Sequence, residues 1–207
     1  MTDLAELSFL HRFERPADAK GRPLLLLHGT GGDENDLLPL GRRIAPHAPL
    51  LSPRGKVLEG GMPRFFRRLR EGVFDEADVR FRAAELADFV AEASAAHQLG
   101  APIAVGFSNG ANIAAALLML HPGVLAGAVL LRAMVPLQEP PVADLSGTPV
   151  LLLSGGTDPI VPASNAARLA AQLTAAGAQV DHRTLPVGHQ LSQADLTLAR
   201  EWIAARG

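Results

Sequence analysis

The stretch Ile103-Ala104-Val105-Gly106-Phe107-Ser108-Asn109-Gly110-Ala111-Asn112-Ile113-Ala114-Ala115-Ala116-Leu117-Leu118-Met119-Leu120 decides the fold. Within it, Gly106, Ser108 and Gly110 spell G-x-S-x-G. The pattern alone says little; its setting makes it specific. Ile103–Val105 is uniformly apolar, as in a strand covered on both faces. Ala111–Leu120 favours helix and is apolar on nearly every side. Strand, sharp turn and buried helix hold the serine in a strained backbone conformation. Side chains at Gly106 or Gly110 would collide with the adjoining strand or helix. The helix N-terminus turns its partial positive charge on Ser108 and favours oxyanion character there.

Working outward, Leu24–Leu27, Ala128–Leu131 and Val150–Leu153 are equally apolar and read, with Ile103–Phe107, as buried parallel strands. Pro49–Ser52 is strand-like, while Leu7–Phe13 and Gln179–Leu185 carry polar residues and read as edge strands. Helical signals alternate with them. Asn35–Ile44 is one helix; Leu86, Phe89, Val90 and Ala93 mark the face of a second. Leu169 and Leu173 mark a third, closed by Gly177. Ser192 and Asp195 form a capping box before a last helix, whose apolar side holds Leu191, Leu198 and Trp202. The alternation predicts a doubly wound, mostly parallel α/β sheet over residues 1–207, as one domain without a separate cap domain. In such sheets chemistry gathers at the carboxyl ends of the strands.

Composition narrows the function. The 207 residues are 48% hydrophobic and 19% charged, which excludes disorder. A net charge of −2 leaves no basic excess for nucleic acid. There is no cysteine, so thiolate zinc, iron–sulfur and cysteine-nucleophile chemistry are excluded together. The opening MTDLAELSFLHRF shows no basic segment followed by an apolar one. The longest apolar runs, such as Ile113–Leu120, are far short of a membrane crossing. A cytoplasmic protein that does not insert in membranes is expected.

A serine hydroxyl needs a base. In the chain order nucleophile, acid, histidine that goes with this turn, the histidines after Ser108 are His121, His182 and His189. His121 ends the nucleophile helix and His182 is mid-strand. His189 follows the last strand, in a loop at the sheet's carboxyl end, and is the expected base. Asp158 follows Val150–Leu153 on another strand-end loop and is the expected acid, orienting the imidazole. Asp144, Asp181 and Asp195 fall at the wrong end of a strand, inside a strand and in a helix. The oxyanion hole needs two backbone N–H groups. Asn109 supplies one, and Thr30, in the glycine-rich His28-Gly29-Thr30-Gly31-Gly32 loop after Leu24–Leu27, supplies the other. His28 is expected to hydrogen-bond structurally. That loop matches no phosphate-binding pattern, and Asp33, Glu34 and Asp36 beyond it read as the negative cap of the next helix. No metal site or cofactor is expected.

With these residues in place, the chain resembles the α/β-hydrolase superfamily, and within it the small phospholipase/carboxylesterase family. The carriers are His28-Gly29-Thr30-Gly31-Gly32, the G-x-S-x-G turn, Gly156-Thr157-Asp158-Pro159-Ile160-Val161-Pro162 and Gly188-His189. More narrowly, Arg54-Gly55, Gly61-Met62-Pro63-Arg64-Phe65-Phe66 and Phe107–Ala114 look like hydrolases associated with hydroquinone and quinone resistance. The resemblance implies an intracellular serine esterase with no cofactor, and allows a homodimer. Two departures matter for substrate. Acyl-protein thioesterases and many carboxylesterases carry Gln where this chain has Asn109, and dienelactone hydrolases use a cysteine nucleophile.

The substrate side rests on loops. Arg54 to Asp78 reads as one long irregular stretch leaving Pro49–Ser52. Met62, Phe65 and Phe66 are expected to wall the pocket, with Arg54 and Arg64 as a polar handle for a carboxylate or phenolate. Met134, on the strand-end loop Arg132–Pro136, should also border it. The expected substrate is a small to medium hydrophobic carboxylic ester. The alternatives are a thioesterase or lysophospholipase-like activity of the same residues, or a binding module that kept the fold without the chemistry.

Overall fold

The structure, a computed structural model, describes residues 7–206. Residues 1–6 and 207 lie outside the described residues, and with them the ends of the 1–207 domain reading and the first six positions of the leader reading. In chain order, β1 (His11–Glu14) and β2 (Leu24–Leu27) precede α1 (Leu38–Ile44) and β3 (Leu50–Pro53). Four short strands follow: β4 (Val57–Glu59), β5 (Met62–Arg64), β6 (Arg68–Arg70) and β7 (Val73–Phe74). Then come α2 (Glu76–His97), β8 (Ile103–Phe107), α3 (Asn109–Leu120), β9 (Gly127–Leu131) and β10 (Pro149–Gly155). The chain ends with α4 (Ala163–Ala175), β11 (Gln179–Leu185) and α5 (Gln193–Ala204).

Among the described residues, seven strands make one sheet in the order β1-β3-β2-β8-β9-β10-β11. Only β1 runs antiparallel, against β3, and the other pairings are parallel. Alternate strand residues face opposite layers. Leu25, Leu27, Ala104, Leu130 and Leu152 pack under α2, α3 and α4. Leu24, Leu26, Val105, Leu131 and Leu153 pack under α1 and α5. With helices on both faces, a strand has no polar side to show, and this is why the central strands are uninterrupted apolar runs. The chain moves from β2 outward to β3, then returns past β2 to β8. Loops after β2 and β8 therefore diverge at a topological switch point, where such sheets open a crevice.

Three expectations need correction. The first edge strand covers His11–Glu14 rather than Leu7–Phe13. The helix expected at Asn35 begins at Leu38, and Asp33, Glu34 and Asp36 do not cap it. Asp33 instead accepts from the Asn35 N–H at 2.8 Å in a local turn, and Glu34 is engaged by Arg54. The stretch from Arg54 to Asp78 is not irregular. It folds as two hairpins, β4–β5 and β6–β7, followed by the first turn of α2. The hairpin β4–β5 turns on Gly60-Gly61, both at positive φ (57° and 83°), the conformation that a two-residue hairpin loop demands.

Candidate active site

Ser108 closes β8 and opens α3 with φ 52° and ψ −112°, a conformation that costs a non-glycine residue energy. The neighbours that impose it are close. A Cβ on Gly110 would lie 1.9 Å from the Leu27 carbonyl oxygen, and one on Gly106 would lie 2.6 Å from that of Gly110. The Ser108 N–H donates to the Leu131 carbonyl at 2.8 Å, which fixes the turn to β9.

Loops from two further strands meet this turn. His189, after β11, places Nε2 at 3.0 Å from Ser108 Oγ. Its Nδ1 is 2.8 Å from Asp158 Oδ2, on the loop after β10. Asp158 has a fully buried side chain, and its Oδ1 accepts from the N–H groups of Ile160 (2.8 Å) and Val161 (3.0 Å). Burial alone would push its carboxyl upward. The Val161 N–H, the His189 ring and the Ile160 N–H outweigh that and hold it below the usual carboxylate value. Asp158 is thus an anion fixed against one nitrogen of an imidazole whose other nitrogen faces the serine. The backbone N–H groups of Thr30 and Asn109 border the same cleft, with no protein partner among the described residues. The sequence expectations for Ser108, Asp158, His189, Thr30 and Asn109 thus fall on one spot.

His28 is buried beneath this spot and does not face Ser108. Its Nδ1 donates to the Gly29 carbonyl (2.6 Å), and its Nε2 accepts from the Gly55 N–H (3.0 Å). Desolvation holds its pKa below the ordinary histidine value, and the neutral ring ties the β2 loop to the chain entering β4.

Two sets of side chains escaped the sequence reading. The first is Arg132, which follows β9 with φ 57° and has a fully buried side chain. It makes a two-pronged ion pair with Asp195 at 2.8 Å on both prongs. Its remaining N–H groups donate to the carbonyls of Gly188 (3.0 Å), Gln190 (3.1 Å) and Leu153 (3.2 Å). Arg132 therefore grips the backbone on both sides of His189. The signal was present: a charged residue directly after a buried strand has no water to face and must find a carboxylate inside. The second set is the amides of Asn109 and Asn112 on the first turn of α3. Their Oδ1 atoms accept from the N–H of Phe65 and of Met134, each at 2.7 Å, and fix the two loops that flank the serine.

The cleft beside Ser108 has a volume of about 380 Å³. Its apolar walls are Phe74, Phe107, Met134 and Ile160, and its polar ones include Thr30, Arg64, Arg68 and Glu71. Met134 and Arg64 are among these lining residues. Phe65, Phe66, Met62 and Arg54 do not line it, and four expectations are corrected. Phe65 and Phe66 are buried in the main core, because the Asn109 bond turns their segment inward. Met62 is 45% exposed, on the outer edge of the hairpin over Gly31. Arg54 is held away by Glu34, at 2.5 and 3.0 Å. Phe74, from the same stretch, lines the cleft where Phe65 and Phe66 do not.

Comparison with known proteins agrees with this architecture. The family model described as Phospholipase/Carboxylesterase matches residues 11–206. A protein of Bacillus subtilis (strain 168) named "Putative hydrolase MhqD" is 51% identical over 181 residues, 86% of this chain and 90% of that one. A crystal structure of a Bacillus cereus carboxylesterase superposes with a TM-score of 0.94 at 43% identity, covering 99% of this chain and 97% of that one. A carboxylesterase from Mesorhizobium loti gives 0.92 at 36% identity, covering 97% and 96%. The chain belongs to the phospholipase/carboxylesterase family of α/β hydrolases, and it is a carboxylic ester hydrolase.

Proposed function

We propose that the protein hydrolyses small to medium carboxylic esters through an acyl-enzyme on Ser108, with His189 as the base and Asp158 as its orienting anion. The carrying observation is the unbroken line Asp158 Oδ2, His189 Nδ1, His189 Nε2, Ser108 Oγ, at 2.8 and 3.0 Å, on three strand-end loops. His189 takes the Ser108 proton as Oγ forms a bond to the ester carbonyl carbon. The oxygen that becomes negative is received by the N–H groups of Thr30 and Asn109. The C–O bond to the alcohol then breaks, and His189 hands the proton to the departing alkoxide. Water attacks the acyl carbon with His189 again as base, and the carboxylic acid leaves while Oγ regains a proton. Asp158 stays ionised throughout and stabilises the imidazolium.

The cleft volume suits an ester of modest size, and Phe74, Phe107, Met134 and Ile160 give its carbon skeleton apolar contact. The test is labelling with a fluorophosphonate, followed by a panel of p-nitrophenyl esters of increasing acyl length. Wild-type labelling, absent in Ser108→Ala, with turnover of the short and middle members, is the expected result. Labelling that persists in Ser108→Ala overturns the assignment of the nucleophile, and an unlabelled, inactive wild type overturns the hydrolase mechanism as a whole.

A further inference from the structure

Arg64 is an unusual wall for a cleft that receives neutral esters. It is 3% exposed, yet it borders the same cavity as Ser108. Its Nη1 donates to Thr30 Oγ1 at 2.7 Å and its Nε to the Phe66 carbonyl at 3.2 Å. Its Nη2 has no hydrogen-bond partner among the described residues. The nearest counter-charge is Glu59, 3.3 Å from Nε. That carboxylate is already engaged by Arg68, which reaches it through Nε (2.9 Å) and Nη2 (2.7 Å). Arg68 borders the cleft as well. Two guanidinium groups thus share one carboxylate that does not itself line the cleft, and Glu71, which is exposed, is the only acid among the described lining residues.

A buried cation with half a counter-ion is costly unless something else completes it. Burial, with the neighbouring Arg68 charge, pulls the Arg64 pKa below the ordinary arginine value, which registers the shortfall. A guanidinium with a free edge matches a carboxylate in geometry and in charge. Its place along the cleft sets the distance. Arg64 is bonded to the side chain of Thr30, the residue whose N–H is assigned above to the oxyanion. A group bound to Arg64 is therefore only a short chain away from the carbonyl under attack.

Resting on the serine-esterase reading above, we infer that the site takes esters bearing a second, free carboxylate a few carbons from the scissile carbonyl, such as half-esters of short dicarboxylic acids, and binds that carboxylate on Arg64 with support from Arg68. The apolar walls then hold the alcohol side or the connecting methylenes. The reading replaces a purely hydrophobic substrate with an amphipathic one, without changing the bond that is cut.

The experiment compares two matched series: monoethyl esters of succinic, glutaric and adipic acid, and ethyl esters of the monocarboxylic acids of equal chain length. One half-ester is expected to exceed its neutral partner in kcat/KM by about tenfold to a hundredfold, the range that one hydrogen bond to a charged group supplies. Arg64→Gln should abolish that preference, and Arg64→Lys should restore part of it. Arg68→Gln should narrow the preference. Binding is read separately, with no turnover. Glutarate should raise the wild-type Tm and butyrate should not, and the glutarate effect should vanish in Arg64→Gln. Neutral esters cleaved as fast as half-esters, with no effect of glutarate on Tm, overturn the subsite and leave the esterase standing. Glutarate binding without any Ser108-dependent turnover does the reverse. A uniform loss across both series in Arg64→Gln, with the wild-type preference absent, shows Arg64 to be a strut for Thr30 and nothing more.

Discussion

On one side of Ser108 the cleft is walled by loops that continue strands of the sheet; on the other it is walled by hairpins that pair with none of the sheet strands. The first wall is bonded through its backbone. Ser108 N–H reaches the Leu131 carbonyl, Arg132 N–H that of Leu153, Gly156 N–H that of Leu185 and Thr157 N–H that of Val187. The second wall is held mostly by side chains: Asn109 on the Phe65 N–H, His28 on the Gly55 N–H and Asp78 on the Arg67 N–H. The groups assigned to bond-breaking inherit their positions from the seven-stranded sheet. Those assigned to substrate choice depend on a few polar side chains and on packing. Chemistry and specificity are therefore separable by mutation.

The largest effect belongs to the strand-bonded wall. Ser108→Ala is expected to lower kcat/KM by at least about 10³-fold for every ester alike, with the fold intact by circular dichroism. His189→Ala should be comparably damaged, and the double variant no worse than the worse single, because the residues act as a unit. Additive losses would break the assignment. Arg132→Met comes next. It leaves Asp195 buried without its ionic partner and removes the donors from the Gly188 and Gln190 carbonyls, and should cost about 3–5 kcal/mol of stability. Adding Asp195→Leu should return much of that stability, since an apolar pair can replace a buried ionic one. It should not return kcat, because the Gly188 and Gln190 carbonyls around His189 still lack their donor. Recovery of kcat together with Tm would mean that Arg132 holds the fold and does not position the histidine.

The same division explains what could be read from the chain. The β8–α3 turn was legible because one local pattern carries both its sterics and its chemistry. Gly106 and Gly110 are required by contacts with Gly110, Ala111 and Leu27, and these follow from strand running directly into helix. Asp158 was legible because it follows an uninterrupted apolar strand, and His189 because it falls between the last strand and the capping box of the last helix. The hairpins were not, since β4 to β7 are only two or three residues long and have too little alternation to stand out. Whether Phe65, Phe66 or Phe74 faced the cleft depended on the amide of Asn109, 44 residues along the chain from Phe65. The Arg132–Asp195 pair spans 63 residues, and Asp195 was already accounted for as a capping residue. Local patterns carry no information about such partners.

Smaller effects on activity are expected where the two walls meet. Phe66→Ala removes a fully buried ring and should cost about 3–5 kcal/mol of stability, with the ranking of ester substrates unchanged. Phe74→Ala and Met134→Ala remove cleft contacts and should leave stability nearer the wild type. Each should shift the relative kcat/KM of long against short esters by about 1–3 kcal/mol. A stability scan and one ester series on the same preparations decide it. If Phe66→Ala reorders the esters and Phe74→Ala does not, the two phenylalanines have been given each other's role.

The smallest effect is a slope, and it isolates the side-chain bonding of the second wall. His28 is useful to the fold only as a neutral ring, because Nε2 must accept from the Gly55 N–H while Nδ1 donates to the Gly29 carbonyl. A second ring proton would set one N–H against another. Burial lowers its pKa from the ordinary 6.5, and Arg54 adds to that, against the Gly29 carbonyl, Asp36 and Asp33, which act to raise it. The unfolded chain therefore binds a proton before the folded one does as pH falls. The stabilisation from His28 is complete above the unfolded value and is lost progressively below it, down to the folded value. His97 and His182, also lowered by burial, act in the same direction, whereas Asp158 and Asp195 weaken the fold only below the usual carboxylate range. The fall in Tm between about pH 7.5 and pH 5.5 should thus be a histidine effect, and His28→Asn should flatten it while lowering Tm at neutral pH. An unchanged slope in His28→Asn would assign the acid sensitivity to His97 and His182, and would leave the hairpin wall anchored by Asn109 without help from His28.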